Sequence, residues 1–276
     1  MNWKNETNAE YHSIPGINYS YLKDIYDWQM FIPIQKTNLQ NNSMKKGTAL
    51  HYAVLQPELF DDNVECYHDN LPFSPENSEP IKLPEADYND VLKMRDSIFS
   101  NPLAMELLEN VYAEQSGYVD IDYDFLNDNL RLQCPPYYKI KCDARKLNVR
   151  RDTPDVIIDL KSTSAKNIDD IQNSIELFHY DLQAYHYLRT ANLIEIKNGS
   201  VHNYKAFWWI FVQNTAPFRC FCLKLSDEDY RIGKHKWQTA INILKLYYEK
   251  GIIRVTLPCP EWKISKYFSE FKESED

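Results

Sequence analysis

At 276 residues and 32.7 kDa, with 43% hydrophobic and 14% aromatic side chains, the chain can build one large core or two small ones. A formal charge of −9 removes a diffuse electrostatic grip on nucleic acid, so any such surface has to be a local basic patch. With only 6 glycines, and neither a G-x-G-x-x-G nor a Walker-type loop, a Gly-rich phosphate cradle is excluded.

The N-terminus, MNWKNETNAEYHS, lacks the charged-then-apolar pattern of a signal peptide, and no apolar run approaches the ~20 residues that span a bilayer. Cysteines 66, 134, 142, 220, 222 and 259 form no C-x-x-C pair and no spaced metal framework. The expectation is a soluble protein of a reducing cytoplasm.

In chain order, NYSYLKDIYDWQMF (18–31) reads as a helix that Ser20 caps, with aromatics at near-helical spacing. KKGTALHYAVLQPELF (45–60) reads as a second helix, broken at Pro57. Residues 69–86 carry four prolines and read as an exposed loop, followed by a helix over about 86–110. The pattern then changes period. SGYVDIDYDF (116–125), YYKIKCDA (137–144) and DVIIDLKS (155–162) read as successive strands of one sheet. Residues 167–194 are helical in two pieces that bend near His179, and YKAFWWIFV and FRCFCLKL return to strand. Cys220 and Cys222, two apart in the last strand, share a face and are expected to pack. Ser226 to Lys250 is a long helix with Trp237, Ile241, Leu244 and Tyr248 on one face and Gly251 as its C-cap. The order predicts a single α/β domain without internal repeats. It divides into a helical part (15–110), a sheet with its helices (111–250) and a tail (251–276).

The chemistry concentrates in KCDARKLNVRRDTPDVIIDLKSTS (141–164). An acid two residues before a lysine occurs four times: Asp159–Lys161, Glu195–Lys197, Glu261–Lys263 and Glu270–Lys272. Only Asp159 ends a β-branched run, and only it has an earlier strand ending in a carboxylate, Asp143, 16 residues upstream. Residues i and i+2 of a strand share a face, so Asp159 and Lys161 point the same way. Neighbouring strands lie about 4.8 Å apart, which puts Asp143 within reach of a cation shared with Asp159. Two carboxylates that hold Mg²⁺, with an amine to orient water or offset charge on a phosphate, suit phosphodiester hydrolysis. The competing reading is a surface hairpin with a salt bridge worth under ~1 kcal/mol, and on the triplet and strands alone the two are evenly matched.

Three further features bear on the choice. Gln183 and Tyr187 stand at i, i+4 on the helix after the strand, suited either to a nucleic-acid backbone or to the polar edge of an amphipathic helix. His51 lies in an otherwise apolar helix, where a satisfied core histidine is the commoner case. Lys139, Lys141, Arg145, Lys146, Arg150 and Arg151 surround Asp143, the only acid from 139 to 151, and form the local basic patch that the net charge demands.

Taken together, SYLKDIY, KKGTALHYAVLQPELF, AEQSGYVD, KIKCDAR, VIIDLKST and YDLQAYHY, in this order over about residues 15–190, resemble the RecE-type (exonuclease VIII-like) branch of the PD-(D/E)xK nucleases. The resemblance implies a restriction-endonuclease-like core, a central mixed sheet flanked by helices. It implies a metal site of His51, Asp143 and Asp159 with the Leu160 carbonyl as a further ligand, and Asp143, Asp159 and Lys161 as the catalytic set. Gln183 and Tyr187 match the Q-x-x-x-Y motif that holds the DNA strand, with Lys141, Arg145, Lys146 and Arg150 beside them, and Glu114 matches an upstream acid. Lys141-Cys142-Asp143 stands where the family has R-P-D, and Ser162 where threonine is commoner; the cysteine quartet of iron–sulfur relatives is missing. The implied activity is Mg²⁺-dependent 5′→3′ resection of linear double-stranded DNA ends, with Mn²⁺ as a substitute. The implied partners are a RecT/Bet-like single-strand annealing protein in phage-type recombination and further copies of the chain in a homo-oligomeric ring. A PD-(D/E)xK endonuclease and a non-catalytic DNA-binding subunit of the same fold are the alternatives.

Overall fold

A computed structural model describes residues 3–33, 42–67, 80–121, 134–148 and 153–253. Six strands form the central sheet in the order β1 (Lys4–Asn5), β4 (Tyr112–Asp120), β5 (Tyr137–Lys146), β6 (Asp155–Thr163), β7 (Tyr204–Gln213) and β8 (Cys220–Lys224). Only β6 and β7 run parallel; their neighbours are antiparallel, so the sheet is mixed as expected. A parallel pair needs a long crossover, supplied here by α7 (Ile168–Leu177) and α8 (Tyr180–Lys197). These helices meet at His179, whose φ of 55° breaks the helix where the sequence bends.

Helices cover both faces. On β7, Phe207, Trp209 and Phe211 face one core, with α8, α2 (Tyr19–Trp28) and α9 (Asp227–Lys250). The alternate residues Ile210 and Val212 face a second core with α3 (Asn42–Leu55), α5 (Glu85–Phe99) and α6 (Pro102–Leu108). This period-2 split is what a strand buried on both sides requires. The caps of α9 fall where expected: the Ser226 side chain accepts from Asp229 N, and Gly251 takes φ 67°. Cys220 and Cys222 pack against the second core.

Several elements differ from the sequence expectation. Asn18, not Ser20, caps α2, its side chain accepting from Tyr21 N. The helix expected over 86–110 is two, because Asn101 starts a new cap and Pro102 cannot continue a helix. After the short helix α4 (Phe60–Asn63), β2 (Val64–Tyr67), to which the sequence assigned no element, pairs in parallel with β3 (Ile81–Pro84), which was expected in the loop. The first strand of the predicted trio begins at Tyr112 and ends at Asp120. Residues 3–14, without strong periodicity, contribute β1 and α1 (Asn8–Ser13), which is closed by a Thr7/Glu10 capping box.

Candidate active site

The site lies where the sheet splits. β5 and β6 pair through Ala144↔Ile158, Arg145↔Ile157 and Lys146↔Val156, and the ladder stops there. Nearer its start, β5 instead exchanges backbone bonds with Ile17, whose N–H donates to Tyr137 O and whose carbonyl accepts from Lys139 N. The backbone of Leu160 on β6 therefore faces a gap, and a buried backbone group needs a partner. Side chains take over: Leu160 N donates to Asp143 Oδ2 at 2.7 Å, and the Leu160 carbonyl lies 3.2 Å from His51 Nε2.

β4 carries a break beside this gap. Ala113 and Glu114 both line the cleft, which consecutive residues of a regular strand cannot do. Glu114 achieves it with φ 50°, a left-handed conformation that costs a non-glycine residue of the order of 1–2 kcal/mol. The result is an acid aimed at His51, with Glu114 Oε1 2.9 Å from Nδ1. Nε2 of the same ring lies 3.7 Å from Asp143 Oδ2. Among the described residues, His51, Glu114 and Asp143 can each offer a ligand atom, all within 4.8 Å of one another.

Asp159 approaches from the α8 side. Its Oδ1 accepts from Gln183 Nε2 at 2.7 Å, and its Oδ2 pairs with Lys161 Nζ at 2.6 Å. Lys161 also lies over the Tyr180 ring, 5.1 Å from its centroid, and reaches the same cleft as His51, Asp143 and Tyr187. Asp159 thus stands beside the His51–Glu114–Asp143 group with its oxygens engaged by Lys161 and Gln183. Gln183 is buried and holds a carboxylate, instead of facing outward to a DNA strand.

The basic patch is placed differently from the sequence expectation. Lys139 is buried and donates to the carbonyls of Tyr11 and Ile14 at 2.9 and 2.7 Å. Lys141 reaches Asn8 Oδ1 at 2.6 Å and Glu114 Oε2 at 3.2 Å, on the edge of the cleft. Arg145 is buried under Trp3, 3.6 Å from its ring centroid, and hydrogen-bonds Tyr204 and Gln115. Lys146 donates to Glu106 O. Arg150 and Arg151 lie outside the described residues, as do the D-x-K-like triplets at 261–263 and 270–272. The structure does not bring Arg145 or Lys146 to the site: the strand reverses which residues face the cleft after Asp143, and Arg145 points into the opposite layer. Glu195, from the remaining triplet, is buried against Trp3 Nε1 at 2.8 Å.

The electrostatics favour a positive charge at the gap. Burial pushes the Asp143 carboxyl up to about 7 against the pull of His51. Burial alone would lower His51, but Asp143 and Glu114 outweigh it and hold the imidazolium to about 9. Burial likewise opposes the charge of Glu114, yet His51 and Lys141 draw it below its ordinary value. Lys161 is raised because Asp159 and Asp143 outweigh its burial. As an imidazolium, His51 donates to both Glu114 and the Leu160 carbonyl, supplying the charge that the two carboxylates call for. A divalent cation fits the same donors: one imidazole nitrogen, two carboxylates and a backbone carbonyl form a mixed N/O set.

Fold and site together define an α/β protein whose six-stranded mixed sheet, flanked by helices, carries a candidate cation site at a split between strands. The same fold is seen in the crystal structure of a protein from Eubacterium rectale named "Putative exonuclease". It aligns with 95% of this chain and 98% of its own, with a TM-score of 0.55 and 13% identity. A second solved structure, SSO0001, aligns with 82% of this chain and 85% of its own at 12% identity, with a TM-score of only 0.31. No protein-family model and no curated protein matches the sequence. Among the described residues, no helix is long and apolar enough to cross a membrane.

Proposed function

We propose that the protein is a Mg²⁺- or Mn²⁺-dependent deoxyribonuclease that hydrolyses phosphodiester bonds at the ends of linear double-stranded DNA. The observation that carries this reading is the convergence of His51, Glu114 and Asp143 at the strand split, with Lys161, held by buried Asp159, opening on the same cleft. The name of the Eubacterium rectale protein supports an exonuclease over other nucleases, and the resemblance of residues 15–190 to RecE-type enzymes supports 5′→3′ polarity.

His51, Asp143, Glu114 and the Leu160 carbonyl would hold the cation, which when bound polarises the phosphate and makes water a better nucleophile. Lys161 offers an ammonium on the cleft wall, where it offsets charge that builds on the phosphate oxygens. Asp159 anchors that ammonium, and Gln183 fixes the second oxygen of Asp159, so Lys161 is presented in one position. Tyr187, half-buried in the cleft wall, and Lys141 at its edge complete the surface that a strand would meet. On the same resemblance, the protein acts in a cytoplasm, as a homo-oligomeric ring that hands resected DNA to a single-strand annealing protein.

The test uses linear duplex DNA labelled at either end, incubated with Mg²⁺, Mn²⁺ or EDTA, beside covalently closed circular DNA. The expected result is cation-dependent release of label from one end first, with the circle intact. Cutting of the closed circle would make the enzyme an endonuclease, and no cutting with either cation would overturn the assignment.

A further inference from the structure

The two strands that part at the site carry an acid and a lysine in mirror order: Lys141-Cys142-Asp143 on β5 and Asp159-Leu160-Lys161 on β6. Continued past Ala144↔Ile158, the antiparallel register would set Asp143 beside Asp159 and Lys141 beside Lys161. The ladder stops instead, and the two arms turn to opposite layers. Asp159 and Lys161 face Gln183 and Tyr180 of α8. Asp143 faces His51 of α3, and Lys141, two residues before it, reaches Glu114 and Asn8. Both lysines nevertheless line the same cleft.

The two ammoniums are held alike. Lys161 Nζ pairs with Asp159, whose other oxygen accepts from the Gln183 amide. Lys141 Nζ donates to Asn8 Oδ1 at 2.6 Å and lies 3.2 Å from Glu114 Oε2, while Glu114 Oε1 lies 2.9 Å from His51 Nδ1. An ammonium has three donors. Among the described residues Lys141 uses two of them, which leaves one for the cleft. The neighbouring bases have no such freedom: Lys139 and Lys146 donate to backbone carbonyls, and Arg145 to Tyr204 and Gln115. Lys141 and Lys161 flank the cation donors, one beside Glu114 and the other beside Asp159. A phosphate held between the cation and Lys161 therefore leaves Lys141 for the next charge along the strand. Lysine suits that task as a point charge that grips phosphate without demanding a fixed geometry.

Resting on the nuclease reading above, we propose that Lys141 is a second phosphate-binding residue, which holds the phosphate next to the scissile one on the strand being cut. Lys161 serves the scissile phosphate, and the forked strands set the spacing between the two. The contact is to the backbone, so it fixes the register of the duplex end in the site without reading its sequence. Asn8 is a positioning residue that acts through Lys141.

The experiment measures the affinity of the full chain for blunt linear duplex DNA, with saturating Ca²⁺ in place of the catalytic cation, over a range of salt concentrations. It uses the natural protein, Lys141→Met, and Lys141→Gln, which keeps a donor for Glu114 but carries no charge. Circular dichroism is the folding control. A neutral methylphosphonate replaces, one at a time, the linkages near the attacked end, and the first product released with Mg²⁺ marks the scissile one. The natural protein should bind about tenfold more weakly when the linkage beside the scissile one is neutral, the size of losing one hydrogen bond to a charged group. Both variants should show that loss on unmodified DNA and no further loss at that linkage. Their slope of log affinity against log salt should be shallower by about one. Mn²⁺ affinity, measured without DNA, should not fall, because the charge that competes for Glu114 has gone. If Lys141→Met fails to fold, Lys141→Gln decides alone. The inference is overturned by a natural protein indifferent to that linkage, by folded variants that stay sensitive to it, or by a fall in Mn²⁺ affinity as large as the loss of DNA affinity. Each of these leaves the nuclease reading intact, whereas a natural protein that neither binds nor cuts duplex DNA removes both.

Discussion

Two buried acid–lysine pairs in this protein look alike and do different work. Asp159–Lys161 brings its lysine to the cleft and Asp181–Lys236 sits between α8 and α9, each with a closest contact of 2.6 Å. Lys236 bonds both oxygens of Asp181, which also accepts from Leu182 N, and both side chains are only 4% exposed. Every group there is satisfied inside a helix crossing so close that a Cβ on Gly233 would lie 2.1 Å from the Asp181 carbonyl oxygen. Lys161, by contrast, keeps 21% of its side chain exposed and shares its cleft with Asp143 and His51. Burial and pairing are common to both; what separates them is an open side and a second set of donors aimed at the same space.

The largest effect that would sharpen the comparison is on stability at the closed pair. Lys236→Met leaves the Asp181 carboxylate buried and uncompensated, and such broken pairs cost about 3–5 kcal/mol. Urea denaturation should show that loss, while the folded fraction cuts DNA at its usual rate; a loss below about 1 kcal/mol would erase the distinction. The next effect is on rate at the open pair. Lys161→Met should lower turnover about 10²–10³-fold, the size of losing one charge-stabilising donor at a reacting centre. Its stability loss should be smaller than at Lys236, because Asp159 keeps its hydrogen bond from Gln183. Equal stability losses at the two lysines would break the contrast. Smaller again, Gly233→Ala should destabilise by about 1–3 kcal/mol, since the neighbour it meets is backbone and α9 has to move.

The same contrast explains what was legible in the sequence. Patterns that follow from period and caps were readable: the strands of one sheet, the break at His179, and α9 from Ser226 to Gly251, whereas the mixed direction of the strands came with the family resemblance. The sharing of a face by Asp159 and Lys161 followed from strand geometry alone. The fate of the basic patch was not readable, because a lysine's sequence neighbours do not say whether its ammonium meets solvent or a carbonyl. Lys139 and Arg145 were spent on residues 3–14, more than 100 positions away, in a segment whose periodicity gave no warning. Glu114 was hidden for another reason. Its place in the donor group depends on a left-handed backbone inside a strand, and an alternating pattern predicts the opposite. The only sequence clue to it was the resemblance to an upstream family acid.

The effect with the most specific sign is the pH dependence of the cation site. In the cation-free protein His51 is held to about 9 and Asp143 to about 7, both above their ordinary values of 6.5 and 3.8. Groups raised in the folded state stabilise it fully below their unfolded pKa values, and that contribution is lost as pH rises through the folded ones. Between about pH 4 and pH 9 the cation-free protein should therefore lose this increment, first from Asp143 and then from His51. A cation needs the carboxylate and the neutral imidazole, so its binding releases the same protons and gains what the empty-handed site loses. The logarithm of the Mn²⁺ affinity should rise by about two per pH unit below 7, by about one between 7 and 9, and then level off. Thermal melts should accordingly show the stabilisation by Mn²⁺ growing from pH 6 to pH 9. Titration calorimetry in buffers of different ionisation enthalpy would count the released protons directly, and a proton count of zero near pH 7.5 would mean that Mn²⁺ binds somewhere other than His51. The Asp181–Lys236 pair, which reaches no such donors, should contribute nothing to either measurement.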